Sequence, residues 1–61
     1  MTLEEKIAEL EAARDRYVAA VNAMTSAIAT GEPPDVCARL MEEVTASGLA
    51  GSELMERYCV P

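Results

Sequence analysis

Histidine, phenylalanine and tryptophan are missing from these 61 residues, and tyrosine occurs only twice. Without histidine the chain can assemble neither a Ser-His-Asp nor a Cys-His catalytic group. Two cysteines and no histidine also fall short of the ligand set a zinc ion requires. The three glycines are too scattered to form a phosphate-cradling loop. Adjacent carboxylates such as Glu42 and Glu43 point different ways on a helix and cannot share a substrate. A non-enzymatic protein without metal or cofactor is therefore expected.

Basic residues are scarce as well: five against eleven acidic ones, for a net charge of −6. A protein that tracks a phosphate backbone needs a basic footprint, so a nucleic-acid partner is not expected. The acids are spread along the chain, which suits solvated helix faces. No basic stretch leads into an apolar run at the start, so no signal peptide is read. No apolar stretch approaches the ~20 residues needed to cross a bilayer. A small acidic protein of the cytoplasm, with no membrane partner, is the expectation. The lack of large aromatics leaves Leu, Ile, Val, Met and Ala to build the core. At this length one core is barely sufficient, and a second molecule would supply the missing buried surface.

What the sequence does contain is helical periodicity. Thr2 and Glu5 form a T-x-x-E capping box ahead of a run rich in Glu, Ala, Leu, Arg and Met. No glycine or proline interrupts that run before Gly31. The spacing predicts one helix over 2–30. Leu3, Ile7, Leu10, Arg14, Tyr17, Val21, Met24 and Ile28 recur at alternating steps of four and three, as in a coiled-coil seam. With Ile7, Arg14, Val21 and Ile28 at position a, Leu3, Leu10, Tyr17 and Met24 fall at d. Branched residues at a with Leu at d favour a two-stranded assembly, and in a parallel pair Lys6 at g would face Glu11 at e. Beyond Ala12 the flanking positions become Ala13, Val18, Ala20, Thr25 and Ala27. The apolar stripe broadens there, so the rest of the chain is expected to fold back on this second half and leave the first half free for another copy.

Arg14 is the misfit of the seam. Its stem can pack while the guanidinium reaches water or an acid such as Glu9, Glu11, Asp15 or Glu42. It can also set register, or join Tyr17 in a pocket that holds an anionic ligand.

Gly31 with Pro33 and Pro34 predicts a turn over 31–35 and an antiparallel return. A second helix is expected over 34–46, with Val36, Cys37, Leu40, Met41 and Val44 on one face. Gly48 and Gly51 suggest a second turn with Gly48 as cap, followed by a short third helix over 52–59. Cys37 and Cys59 read as reduced, buried small hydrophobes; a bridge would pin the third helix to the second.

The sequence thus predicts an all-α protein: a single helical-hairpin domain over 1–61 with a short third helix, assembling into a helical bundle. Its expected role is that of an oligomerisation and protein–protein interaction module, an adaptor or regulator. It would pair with itself, most simply as a dimer, through the eight seam residues. It would meet a partner protein through Leu49, Leu54, Met55 and Tyr58. Two alternatives stand beside this: a homo-oligomer that sequesters an anionic metabolite or nucleotide at Arg14 and Tyr17, and a subunit or chaperone stable only in a hetero-complex.

Overall fold

The computed structural model describes residues 2–59 and contains two α-helices, α1 (Leu3–Thr30) and α2 (Pro34–Cys59), packed as an antiparallel hairpin. The entry to α1 follows the capping chemistry. Thr2 is extended, and its Oγ1 accepts a hydrogen bond from the Glu5 amide at 3.2 Å. Glu4 and Glu5 lie in the first turn, against the positive end of the helix dipole.

The exit of α1 is closed by Gly31, at φ 73° and ψ 34°. The Gly31 amide donates to the Ile28 carbonyl at 3.2 Å, and the Glu32 amide donates to the Ala27 carbonyl at 2.9 Å. This pair of bonds is a Schellman motif, and it needs a residue that tolerates a left-handed backbone. Pro34 then opens α2 at a position where a missing amide proton is harmless. The Pro33 carbonyl accepts from the Val36 and Cys37 amides. Gly31→Ala should therefore lower hairpin stability by about 1–2 kcal/mol, the strain of an alanine in that conformation. A chemical-denaturation midpoint equal to wild type would contradict the assignment.

The predicted break at 46–51 is not there. α2 runs unbroken through Ser47, Gly48 and Gly51, so what was read as a second helix, a turn and a third helix is one helix of 26 residues. Among the described residues Gly31 is the only glycine with positive φ, and Gly48 is no cap. Locally each glycine inside a helix costs roughly 1 kcal/mol relative to alanine, which is why the pair suggests a turn. The structure gives the stretch a tertiary contact. A Cβ placed on Gly48 would stand 3.4 Å from Cε2 of the Tyr17 ring, at van der Waals contact, so the ring packs beside the α2 backbone at this residue.

The second correction concerns how far α2 returns. Instead of covering only the second half of α1, it reaches back to the first turns, where Tyr58 meets Glu9 and Lys6. The first half of α1 is therefore not left free. Cys37 and Cys59 now lie on one helix, 22 residues and about 33 Å apart, so no bridge can join them within a chain. Both are free thiols; Cys37 is half-buried and Cys59 exposed.

The helices meet through small side chains. Ala20 and Ala27 are buried on α1 and Ser47 on α2, at 1% exposure the most enclosed residue described. Lys6, Leu10, Ala13 and Met24 are half-buried at spacings of three, four and seven along the same contact strip. The strip thus follows positions d and g of the predicted register, not a and d. Ser47 brings no unpaired polar atom into it: its hydroxyl donates to the Glu43 carbonyl at 2.7 Å and lies 3.1 Å from that of Val44. The result is a rod of 43 × 16 × 13 Å with a radius of gyration of 14.1 Å, against about 10.5 Å for a compact chain of this length.

Candidate functional site: the grooved apolar flank

A two-helix rod has two flanks, and here they differ in chemistry. One is polar and cross-braced. The Arg16 guanidinium donates to both carboxylate oxygens of Glu43, at 2.9 and 2.8 Å. Near the open end the Tyr58 hydroxyl donates to the Glu9 carboxylate, and Lys6 Nζ lies 5.7 Å from the centre of the Tyr58 ring. These contacts join residues 27 and 49 positions apart and fix how α2 lies along α1.

The Arg16 hydrogen bond holds the Glu43 carboxyl below the usual glutamate range, and the same pairing raises the arginine. The hydrogen bond to Glu9 raises the Tyr58 phenol, with desolvation adding to it. A carboxyl depressed by folding contributes stability above its unfolded pKa, and that contribution is lost as pH falls through the folded value. Wild type should accordingly melt above a Glu43→Gln variant near neutral pH, and the gap should close on acidification below about pH 4. For Tyr58 the sign reverses, with stability present below about pH 10 and lost as the phenol ionises. Parallel melting curves of the two proteins across pH 3–7 would contradict the first assignment.

The opposite flank is apolar. On α1 the steps of three and four put Leu3, Ile7, Leu10, Arg14, Tyr17, Val21 and Ile28 along it. On α2 the same steps bring Cys37, Met41, Val44, Gly48, Ser52, Met55 and Cys59 alongside. Leu3, Ile7, Tyr17, Ile28, Met41 and Met55 are among the large apolar side chains that remain exposed, with Ile28 at 61% and Met55 at 58%. Among the described residues Arg14 is the one charge on this flank. Its Nη2 pairs with the Asp15 carboxylate at 3.1 Å, so the local partner has been taken from the acids considered.

Between the helices this flank opens into a groove of about 570 Å³. Leu10, Ala13, Arg14 and Tyr17 line it from α1, and Ser47, Gly48, Gly51, Ser52, Met55 and Cys59 line it from α2. Gly51 borders open space in it: a Cβ there would meet nothing within 4 Å. The groove is off-centre, in the half of the rod nearer the chain ends.

The predicted site residues therefore divide. The structure brings Leu3, Ile7, Leu10, Arg14, Tyr17, Val21 and Ile28 onto one flank, while Met24 turns toward the contact strip, where it is half-buried. Arg14 and Tyr17 do line one pocket, but within a single hairpin. The four partner-surface residues do not share a face. Leu54 and Tyr58 are half-buried against α1, Met55 sits on the grooved flank, and Leu49 projects away at 60% exposure. Sequence reasoning placed Met41 on an apolar helix face but did not align Gly51 and Ser52 with it, because the assumed turn broke the α2 register that joins them. Among the described residues no cluster of His, Cys, Asp or Glu could hold a metal ion. No helix of the described residues is long and apolar enough to cross a membrane. Compared with protein-family models, with curated proteins and with solved structures, the chain finds no match.

Proposed function

We propose that this hairpin is a non-enzymatic interaction module that works as a homo-oligomer, an adaptor or regulator acting by binding a partner protein. The observation that carries the reading is an inverted size distribution. The buried apolar residues described are alanines, whereas eight large apolar side chains are exposed. Accessible surface makes the same point: 4525 Å² against about 3,800 Å² for a compact 6.5 kDa protein. The surplus of about 700 Å² is close to the ~800 Å² that one partner gives up in a standard protein interface. Assembly would cover the grooved flank and leave Leu49 and the charged outer face of α2 for another protein. Two thiols suit a reducing compartment such as the cytoplasm.

Because binding that favours the folded state raises its stability by mass action, the melting temperature of the pure protein should climb with concentration. Sedimentation equilibrium and thermal melts over a hundred-fold concentration range test this. A single copy whose melting temperature ignores concentration overturns the proposal. The groove also favours a second reading, an anionic ligand held by Arg14 and Tyr17, since its volume falls in the usual range for ligand pockets. Its guanidinium is already paired and two-thirds exposed, which weakens that reading. Native mass spectrometry separates the two: the ligand reading requires a co-purified anion.

A further inference from the structure

We propose that a second copy of this chain covers the grooved flank upside down, so that α1 lies along the partner's α1 and α2 along the partner's α2. The inference rests on the oligomer reading and adds the surface and the orientation. Three observations carry it.

The surplus surface of about 700 Å² is the size of one side of a stable interface, and six of the eight exposed large apolar side chains stand on this flank. The groove is off-centre. If two copies met with their chain ends at the same height, groove would face groove and leave a void in which the lining atoms have no contacts. Inverted about a two-fold axis at mid-rod, each groove instead meets the fuller half of the other copy. The partner's Val21 then stands opposite Ala13, and the partner's Met41, 46% exposed here, stands opposite Ser52. A flexible thioether is suited to filling an irregular apolar cleft.

The third observation is the single charge. The inverted arrangement places Tyr17 beside the axis, with the partner's Arg14 one helical turn away. The guanidinium can then lie over the phenol ring while keeping its own Asp15, which gives an exposed tyrosine and a lone flank arginine a shared purpose.

The native cysteines report the orientation. In the inverted pair Cys37 of one copy and Cys59 of the other fall within one turn of each other, whereas within a chain they are about 33 Å apart. Any Cys37–Cys59 link therefore joins two copies. The test treats the full-length protein, at concentrations where sedimentation gives a dimer mass, with a bis-maleimide spanning roughly 10 Å, the spacing of packed helices. Linked peptides are then read by mass spectrometry. The expected result is Cys37–Cys59 linkage, lost in both Cys37→Ser and Cys59→Ser. Gly51→Leu, which favours helix but fills the groove, should weaken the dimer about ten-fold or more. Dominant Cys37–Cys37 and Cys59–Cys59 links, or a dimer without links, overturn the inverted arrangement and leave oligomerisation standing. An unchanged dissociation constant for Gly51→Leu overturns the filling of the groove. A monomer at every concentration overturns the oligomer reading itself.

Discussion

On the proposed oligomer, Ile7→Asp combined with Leu10→Asp should leave separate hairpins of lowered helicity at concentrations where the wild type assembles. Ile7 is 45% exposed on the apolar flank, and Leu10 lines the groove at its edge. Each replacement removes an aliphatic side chain whose full burial is worth about 1.5–3 kcal/mol and puts a carboxylate in its place. The new charges stand near Glu4 and Glu11 in a chain that already carries a net −6, so repulsion adds to the lost burial. A combined effect of about 3–6 kcal/mol corresponds to a 10²–10⁴-fold weaker dissociation constant. Sedimentation velocity measures it directly. An unchanged sedimenting mass would show that copies do not meet through this flank.

Ser47→Leu should have the largest effect on the hairpin itself. Ser47 is the most enclosed residue described, set in a contact strip whose buried neighbours on α1 are alanines. A leucine there must either part the helices or twist into the groove that Ser47 also lines, and strain of this kind costs about 1–3 kcal/mol. In a domain whose margin is only a few kcal/mol, that is enough to abolish cooperative melting at ordinary concentrations. Ser47→Ala is the control. Its lost hydrogen bonds go to carbonyls of its own helix, and alanine is the better helix former, so stability should change by no more than about 0.5 kcal/mol. Circular dichroism melts of both variants check the pair of outcomes. If the leucine variant melts like wild type, the helices do not pack through this strip.

The contrast between Ser47 and Gly48 shows where sequence reading stopped. Residues 46–51 are Ala-Ser-Gly-Leu-Ala-Gly, and by local propensity two glycines within four residues suggest a turn. Nothing local announces that Tyr17, some thirty positions earlier, packs beside Gly48 and lines a groove with it. The same limit explains the displaced seam. Ile7, Val21 and Ile28 carry more apolar area than Ala13, Ala20 and Ala27, so periodicity assigns them the interior. Yet two helices alone can enclose only a narrow strip, and small residues let their axes come closest. The larger residues are pushed to the flank, where Ile7 and Ile28 remain exposed.

The sequence by itself determined the local chemistry: the extent of α1, the Thr2 cap, the left-handed Gly31, the proline entry to α2, the antiparallel return and the all-α class. Each depends on groups within a few residues of one another, where backbone hydrogen bonding and propensity act. Tertiary structure alone decided that α2 is continuous, that alanines and Ser47 line the contact between helices, and that Leu3, Ile7, Tyr17, Ile28, Met41 and Met55 share a grooved flank with Arg14. Those outcomes depend on which side chains fit between two axes, and fit is a property of the pair of helices, not of either one.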